Sequence, residues 1–212
     1  MNKNRLLSLI FLIAFILIAI NLNSTPLLSI DDSVNTFFSI HQATPLRNLS
    51  VILSIIFEPV YVILYVVILS TLLWFYRKRK YAILIFFTSA AAGASIYLLK
   101  VLFARARPLN MLIIESNFSF PSGHALISIV LFGILISFCT NLKSKHKNSL
   151  IVLYSFMILL VGLSRLYLNV HWFSDIMAGY CFGLFLIFGA LFIYKKIKPN
   201  ISQKRVVHRF SK

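Results

Sequence analysis

Carboxylates are scarce in this chain. Five Asp and Glu stand against 21 Lys and Arg, and charged residues make up only 12% of its 212 positions. A soluble domain is usually about a quarter charged and about half apolar. Here 59% of residues are hydrophobic and the mean hydropathy is +0.89, which excludes an ordinary soluble domain and indicates an integral membrane protein. Cysteine is also nearly lacking. Cys139 and Cys181 both lie inside apolar runs, with no CxxC or Cys/His spacing, so neither a disulfide framework nor a zinc site is expected. No A-x-A pattern follows the first apolar run. The stretch MNKNR-LLSLIFLIAFILIAI has the basic start and apolar core of a signal peptide, but NLNSTP follows, so it is expected to stay as a first span. The length suits one compact bundle, read as a single membrane-embedded domain over residues 1–212.

What is present is positive charge. A formal +16 would suggest nucleic acid in a soluble protein. These residues instead sit in short clusters between apolar runs, and no basic stripe faces a soluble surface. The bilayer and its anionic headgroups are the expected partners, not nucleic acid.

Six apolar segments stand out, roughly 6–22, 49–76, 81–103, 124–140, 150–166 and 172–194. Most approach or exceed the ~20 residues a helix needs to cross the hydrocarbon. Helices are expected because an open sheet would leave backbone groups unpaired in lipid. Glu58-Pro59 interrupts the second segment near its start. If six spans alternate, every basic residue except Arg47, Lys100, Arg105, Arg107 and Arg165 falls on one side. The positive-inside rule calls that side cytoplasmic. Asp31, Asp32, Glu58, Glu115 and Asp175 all fall towards the other. The expected fold is therefore all-α: a six-transmembrane-helix bundle, both termini cytoplasmic, with an active site at the outer membrane interface.

The five basic residues on the outer side have no topological reason to be there, and ionisable groups at membrane depth usually serve function. Helical rise places Lys100 about 30 Å from Lys80, His124 about 28 Å from Lys143, Arg165 about 27 Å from Lys147, and His171 about 36 Å from Lys195. Different helices thus bring these side chains to one level. Lys100, Arg107 and Arg165 supply three cations, and guanidinium forks suit phosphate oxygens. In FPSGHA, Pro121, Ser122 and Gly123 precede an apolar helix whose N-terminal amides favour an anion. Ser122 adds a hydroxyl, and Gly123 lets the anion near the backbone. His171 and Asp175 share a helical face, so the carboxylate can fix the imidazole tautomer and leave the other nitrogen as a nucleophile. His124 is placed to protonate a leaving oxygen. Two histidines and an aspartate can also hold a divalent ion, but three nearby cations would repel it, so no metal is expected.

Singly, each feature has a plainer reading. An arginine at a span end is most often a snorkelling anchor, the reading favoured for Arg47 and Arg105. Trp172 reads as an interface aromatic, and His41, His146 and His208 as boundary residues. PSG alone is compatible with a simple turn. The segment DDSVNTFFSIHQATPLRN is expected as a weakly amphipathic interfacial helix walling the entry. Around His171, Leu166, Leu168, Val170 and Phe173 read as packing, and Tyr167 and Asn169 as hydrogen-bonding residues that hold the turn.

Lys100-x6-Arg107-Pro108, Pro121-Ser122-Gly123-His124 and Ser164-Arg165-x5-His171-x3-Asp175 together resemble the three-part signature of the type 2 phosphatidic acid phosphatase superfamily. The resemblance covers about residues 97–180. It implies a six-helix membrane phosphatase acting on lipid phosphates or diphosphates without metal or other cofactor. His171 would be the nucleophile, Asp175 its partner and His124 the general acid. Lys100, Arg107, Ser122, Gly123 and Arg165 would bind the phosphate. Bacterial members of this size resemble undecaprenyl-diphosphate or phosphatidylglycerophosphate phosphatases, which implies the cell (inner) membrane and a site facing the periplasm or exterior. A lipid transporter or flippase that kept the phosphate site is the alternative.

Overall fold

The structure, a computed structural model, describes residues 2–210, with side chains through residue 197. The basic residues Lys198, Lys204, Arg205, Arg209 and Lys212, and His208, lie outside the described side chains. Eight helices follow in order: α1 (Lys3–Ile20), α2 (Thr25–Ile40), α3 (Thr44–Ile56), α4 (Pro59–Phe75), α5 (Arg79–Phe103), α6 (Gly123–Cys139), α7 (Lys147–Tyr167) and α8 (Phe173–Phe210). No strand occurs among the described residues.

Four helices, α1, α5, α7 and α8, are long and apolar enough to cross a membrane. The segment expected as one span at 49–76 is broken instead. Helices α3 and α4 meet at a 59° bend and together make a fifth candidate span. Pro59 explains the break: it pushes Glu58 out of helical geometry, then fits the first turn of α4, where its missing N–H costs nothing. Helix α6 is apolar but has only 17 residues. Apolar side chains along α1, α4 and α5 lie exposed, among them Ile13, Leu17, Val60, Ile63, Phe87 and Leu98. A surface of this kind suits lipid, not water.

The core lies where α6 packs between α5, α7 and α8, around Ile85, Leu126, Val130, Ile134 and Val161. Two glycines set the α6–α8 distance. A Cβ on Gly179 would lie 2.8 Å from the Ser122 carbonyl oxygen, and one on Gly183 would lie 2.6 Å from Ile129 Cγ2. This small-xxx-small spacing lets two membrane helices approach closely. It brings the start of α8 against the start of α6, where the Ser122 amide donates to the Asp175 carbonyl at 3.0 Å. Helix α1 closes the other flank of α8 through the Phe15–Phe182 pair at 4.8 Å and the Ser8 hydroxyl, which donates to the Phe185 carbonyl at 3.1 Å.

The link from α7 to α8 is a short turn with a defined end. Asn169 is left-handed, with φ 52. Its amide donates to the Leu166 carbonyl at 2.9 Å, and the Val170 amide to the Arg165 carbonyl at 3.2 Å. These two bonds form a Schellman cap, and asparagine tolerates the required conformation. The Asn169 amide group donates to Ser39 Oγ at 3.0 Å, and Tyr167 Oη donates to the Ala43 carbonyl at 3.1 Å. Both residues therefore tie the turn to α2 and the segment after it. Leu166, Leu168 and Val170 are buried as expected.

Candidate active site

The site residues come from helix ends and the loops beside them. Lys100 stands in the last turn of α5. Arg105, Arg107, Glu115 and Asn117 lie on the 104–122 loop, and Ser122, Gly123 and His124 open α6. Arg165 stands in the last turn of α7, His171 lies in the following turn, and Asp175 stands in the first turn of α8. The level predicted from helical rise is realised as a set of contacts.

His171 Nδ1 lies 3.2 Å from Asp175 Oδ2, and Arg107 Nη1 lies 3.3 Å from His171 Nε2. An arginine can only donate, so Nε2 must accept and the ring proton sits on Nδ1, directed at Asp175. Burial, then the neighbouring Arg107, Arg165 and Lys100 charges, holds the imidazole well below the ordinary histidine range. The ring is therefore neutral, with a lone pair facing the cations.

Arg107 is fixed by the backbone. Its Nη1 donates to the Val170 carbonyl at 2.5 Å and its Nε to the Asn117 carbonyl at 2.7 Å. Asn117 Oδ1 then joins two cations, accepting from Arg107 Nη2 at 2.5 Å and Lys100 Nζ at 2.9 Å. Lys100 also donates to the Phe118 carbonyl. Arg165 is fully buried; its Nη1 donates to Ser54 Oγ on α3. His124 Nε2 lies 3.3 Å from the Ser54 carbonyl, to which it donates. The bent helix pair thus positions both Arg165 and His124.

Two donors of this cluster have no partner among the described residues. Buried side-chain polar atoms lacking one among the described residues are Ser89 Oγ, Ser122 Oγ and Arg165 Nε. The latter two lie in the site. Buried polar groups are normally paired, because an unmet donor costs about 1–3 kcal/mol. Donors left open beside three cations form a cradle with the chemistry of an anion-binding site.

Gly123 also serves packing. A Cβ there would lie 3.3 Å from Ile96 Cγ2, so its small size accommodates α5. Its backbone still opens α6 beside Ser122.

Three acidic or basic residues did more than their sequence positions indicated. Arg105 is not a snorkelling anchor. Its guanidinium forks between Asp31 Oδ2 at 2.7 Å and Asp175 Oδ1 at 2.6 Å. Asp31, expected on an interfacial helix, is buried on α2. Glu115 enters the cation cluster, bonding Arg165 and reaching within 3.6 Å of Arg107 Nη2. Trp172 is more than an interface aromatic, since its indole donates to the Ala106 carbonyl at 2.9 Å and pins the loop. The signal for Arg105 was the charge sorting itself, which left it without a topological reason. Asp31, Glu115 and Asn117 carried no such signal. Arg47 is exposed, in keeping with a surface anchor.

Comparison with known proteins gives one answer. Residues 81–199 match the PAP2 superfamily. The chain is 33% identical over 137 residues to phosphatidylglycerophosphatase B of Bacillus subtilis (strain 168), covering 63% of this chain and 68% of that protein. It is 32% identical over 126 residues to an undecaprenyl-diphosphatase of Sulfolobus acidocaldarius, covering 56% and 58% respectively. Its fold matches the crystal structure of a transmembrane PAP2-type phosphatidylglycerolphosphate phosphatase from Bacillus subtilis with a TM-score of 0.82 at 25% identity, over 90% of this chain and 96% of that one. With the PAP2 match spanning the segment in which Lys100, Arg107, His124, Arg165, His171 and Asp175 converge, this helical membrane chain belongs to the PAP2 superfamily of membrane lipid phosphatases.

Proposed function

We propose that this protein is a metal-independent phosphatase of lipid phosphates or diphosphates that works through a phospho-histidine on His171. The observation that carries the reading is the bare Nε2 of a neutral, buried His171, beside three cations and two open donors, Ser122 Oγ at the start of α6 and Arg165 Nε at the end of α7. The terminal phosphate takes the donors of Lys100, Arg107, Arg165 and Ser122, with the α6 amides from Gly123 onward. It displaces Glu115 from the arginines and relieves Nε2 of its Arg107 contact. Nε2 then attacks phosphorus as the bond to the lipid oxygen, or to the bridging oxygen of a diphosphate, breaks. His124 gives the leaving oxygen a proton. Its Nε2–H stays on the Ser54 carbonyl, so the ring acts as the imidazolium beside the bound phosphate dianion and the proton it gives is the one on Nδ1. Asp175 keeps the Nδ1 proton of His171 aligned and balances the charge the ring gains. Water, deprotonated by His124, then cleaves the P–N bond and releases inorganic phosphate.

Metal independence is supported by charge. Three converging cations do for the phosphate what a divalent ion does elsewhere, and they oppose one binding there. The two named relatives act on a glycerophospholipid phosphate and a polyprenyl diphosphate, and we carry both substrate classes to this chain. Its topology we read as six spans within one domain, 1–212, both termini cytoplasmic, with the site facing the exterior or periplasm of the cell (inner) membrane. In that layout the α3–α4 pair and the short α6 each count as a span.

The test is phosphate release by purified protein in detergent, from undecaprenyl diphosphate, phosphatidylglycerophosphate and phosphatidate, with and without EDTA. Release undiminished by EDTA, with an acid-labile phosphoryl label lost in His171→Ala, is expected. Full activity in His171→Ala, or lipid translocation in vesicles without hydrolysis, rules the proposal out.

A further inference from the structure

The signature residues do not account for the buried charge behind His171. Asp31 lies on α2, outside the 81–199 segment that matches the family, yet it is only 1% exposed. Its Oδ2 accepts from Arg105 Nη2 at 2.7 Å and from Ser174 Oγ at 2.6 Å. Its Oδ1 accepts from the Ser174 amide at 2.8 Å, capping the start of α8. Arg105 Nη1 in turn donates to Asp175 Oδ1 at 2.6 Å and to Ser174 Oγ at 2.7 Å.

We propose that Asp31 and Arg105 are positioning residues for the phosphatase reaction, forming a buried Asp31–Arg105–Asp175 chain that aims His171. The inference rests on the phospho-histidine reading above.

Asp175 Oδ2 accepts from the Trp172 amide at 3.0 Å and faces His171 Nδ1. Its Oδ1 is taken by Arg105. With one oxygen held on each side, the carboxylate plane cannot turn, and Oδ2 stays on the Nδ1 proton. Arg105 is itself a flexible side chain, with 12% exposure and a route to the surface. Asp31 is what prevents that escape. It fixes the second arm of the fork, and Ser174 fills the space between by donating to Asp31 and accepting from Arg105. The fork of Arg105 and the Ser174 hydroxyl are thereby tied to both carboxylates. Trp172 covers the guanidinium, whose carbon lies 5.6 Å from the ring centre.

The chain also fixes α2 to the reaction centre. Asn35 and Ser39, one and two turns beyond Asp31, hold Asn169 and Asn110 from the same helix face. Without Asp31 the α2 contacts to the turn persist, but the guanidinium loses its second anchor. The phosphate cradle is separate, because among the described residues no hydrogen bond or ion pair joins a cradle side chain to Asp31 or Arg105. Loss of either should therefore impair turnover and spare phosphate binding.

The experiment uses Asp31→Asn, Arg105→Met and Arg105→Lys in full-length protein in detergent. Asp31→Asn and Arg105→Met are expected to lower kcat about 10- to 100-fold, as for outer partners of a working histidine. Their inhibition constants for inorganic phosphate should stay within about twofold of the parent, since no cradle donor is touched. Arg105→Lys should recover part of kcat. Ring nitrogen NMR on protein labelled with 15N-histidine, with His171→Gln to assign the signal, reads the geometry without turnover. The parent is expected to show a single tautomer, protonated on Nδ1, and Arg105→Met a mixture. An unchanged kcat, a parallel loss of phosphate inhibition, or an unchanged tautomer in Arg105→Met overturns the positioning role. A parent lacking phosphatase activity but showing the tautomer change overturns the enzymatic reading alone.

Discussion

On the proposed mechanism Glu115 occupies the ground that a substrate phosphate takes, and Glu115→Gln measures the consequence. One carboxylate oxygen bonds fully buried Arg165, and the other lies 3.6 Å from Arg107. The side chain is 18% exposed, so solvent screening weakens the pair only in part. A hydrogen bond to a charged group contributes about 1.5–3 kcal/mol, against about 1 kcal/mol for a neutral one. Glutamine preserves an acceptor for Arg165 and removes the charge, so phosphate has about 1–2 kcal/mol less to displace. At 1.4 kcal/mol per tenfold, the inhibition constant for inorganic phosphate should fall about 5- to 30-fold. KM for a lipid phosphate should fall in step. The variant should also unfold at lower temperature, because Arg165 then lies buried with less neutralisation. Competitive inhibition by phosphate, measured beside thermal unfolding in the same detergent, checks both expectations. Weaker phosphate inhibition in Glu115→Gln would mean that the carboxylate organises the arginines for phosphate, and would refute displacement.

Other variants probe the scaffold and the ring. Because the His171 ring is held below the ordinary value of about 6.5, its protonation should begin only below that pH, and a ring titration by NMR with a midpoint at or above 6.5 contradicts the environment described. The linked stability effect has a definite sign. Below about 6.5 the unfolded chain takes up a proton that the folded ring refuses, so this residue destabilises the fold as pH falls and contributes nothing well above it. Unfolding temperatures of parent and His171→Gln at pH 5 and 7.5 test that sign. Gly179→Ala places a methyl 2.8 Å from a backbone oxygen of Ser122, and should cost about 1–3 kcal/mol and lower kcat as α8 moves off α6. Gly93→Ala meets nothing within 4 Å and should be neutral or stabilising by up to about 1 kcal/mol, which makes it the control. At left-handed Asn169, replacement by Ala should cost about 1 kcal/mol more than replacement by Gly, because both lose the α2 contacts but only Ala strains the turn.

The sequence revealed the level of the site more fully than its wiring. Hydrophobic run length and the sorting of lysines and arginines located five of the six apolar segments as single helices, and helical rise brought Lys100, His124, Arg165 and His171 together. The remaining one, the second segment at 49–76, failed at Glu58-Pro59, where the breaker was visible but its 59° bend was not. Pairings between distant residues were beyond such reasoning. Charge sorting says on which side an acidic residue lies, not which cation it meets. Asp31, Asp32 and Glu58 looked alike in sequence, yet only Asp31 is drawn into the core while Asp32 stays exposed. The difference arises from which face α2 turns inward, where Val34 and Phe38 pack on Ala125, Leu166 and Ile176. That choice depends on tertiary packing, and the weak apolar stripe of α2 does not dictate it.

The resulting charges divide into two groups on either side of one imidazole. Facing Nδ1 are two carboxylates, Asp31 and Asp175, and one guanidinium, Arg105, so that side has an excess of negative charge. Facing Nε2 are Lys100, Arg107 and Arg165 with Glu115, so that side has an excess of positive charge. A neutral ring in this field places its proton towards the carboxylates and its lone pair towards the cations, the tautomer the hydrogen bonds independently require. The same field acts on an arriving phosphate. On the proposed mechanism, three cations meet the dianion once Glu115 yields, while the negative group holds the ring that attacks it. The few carboxylates of the chain are therefore not incidental. Three of its five serve this division, and substitution of Asp31 and of Glu115 should act on opposite sides of the ring, the first on turnover and the second on phosphate affinity.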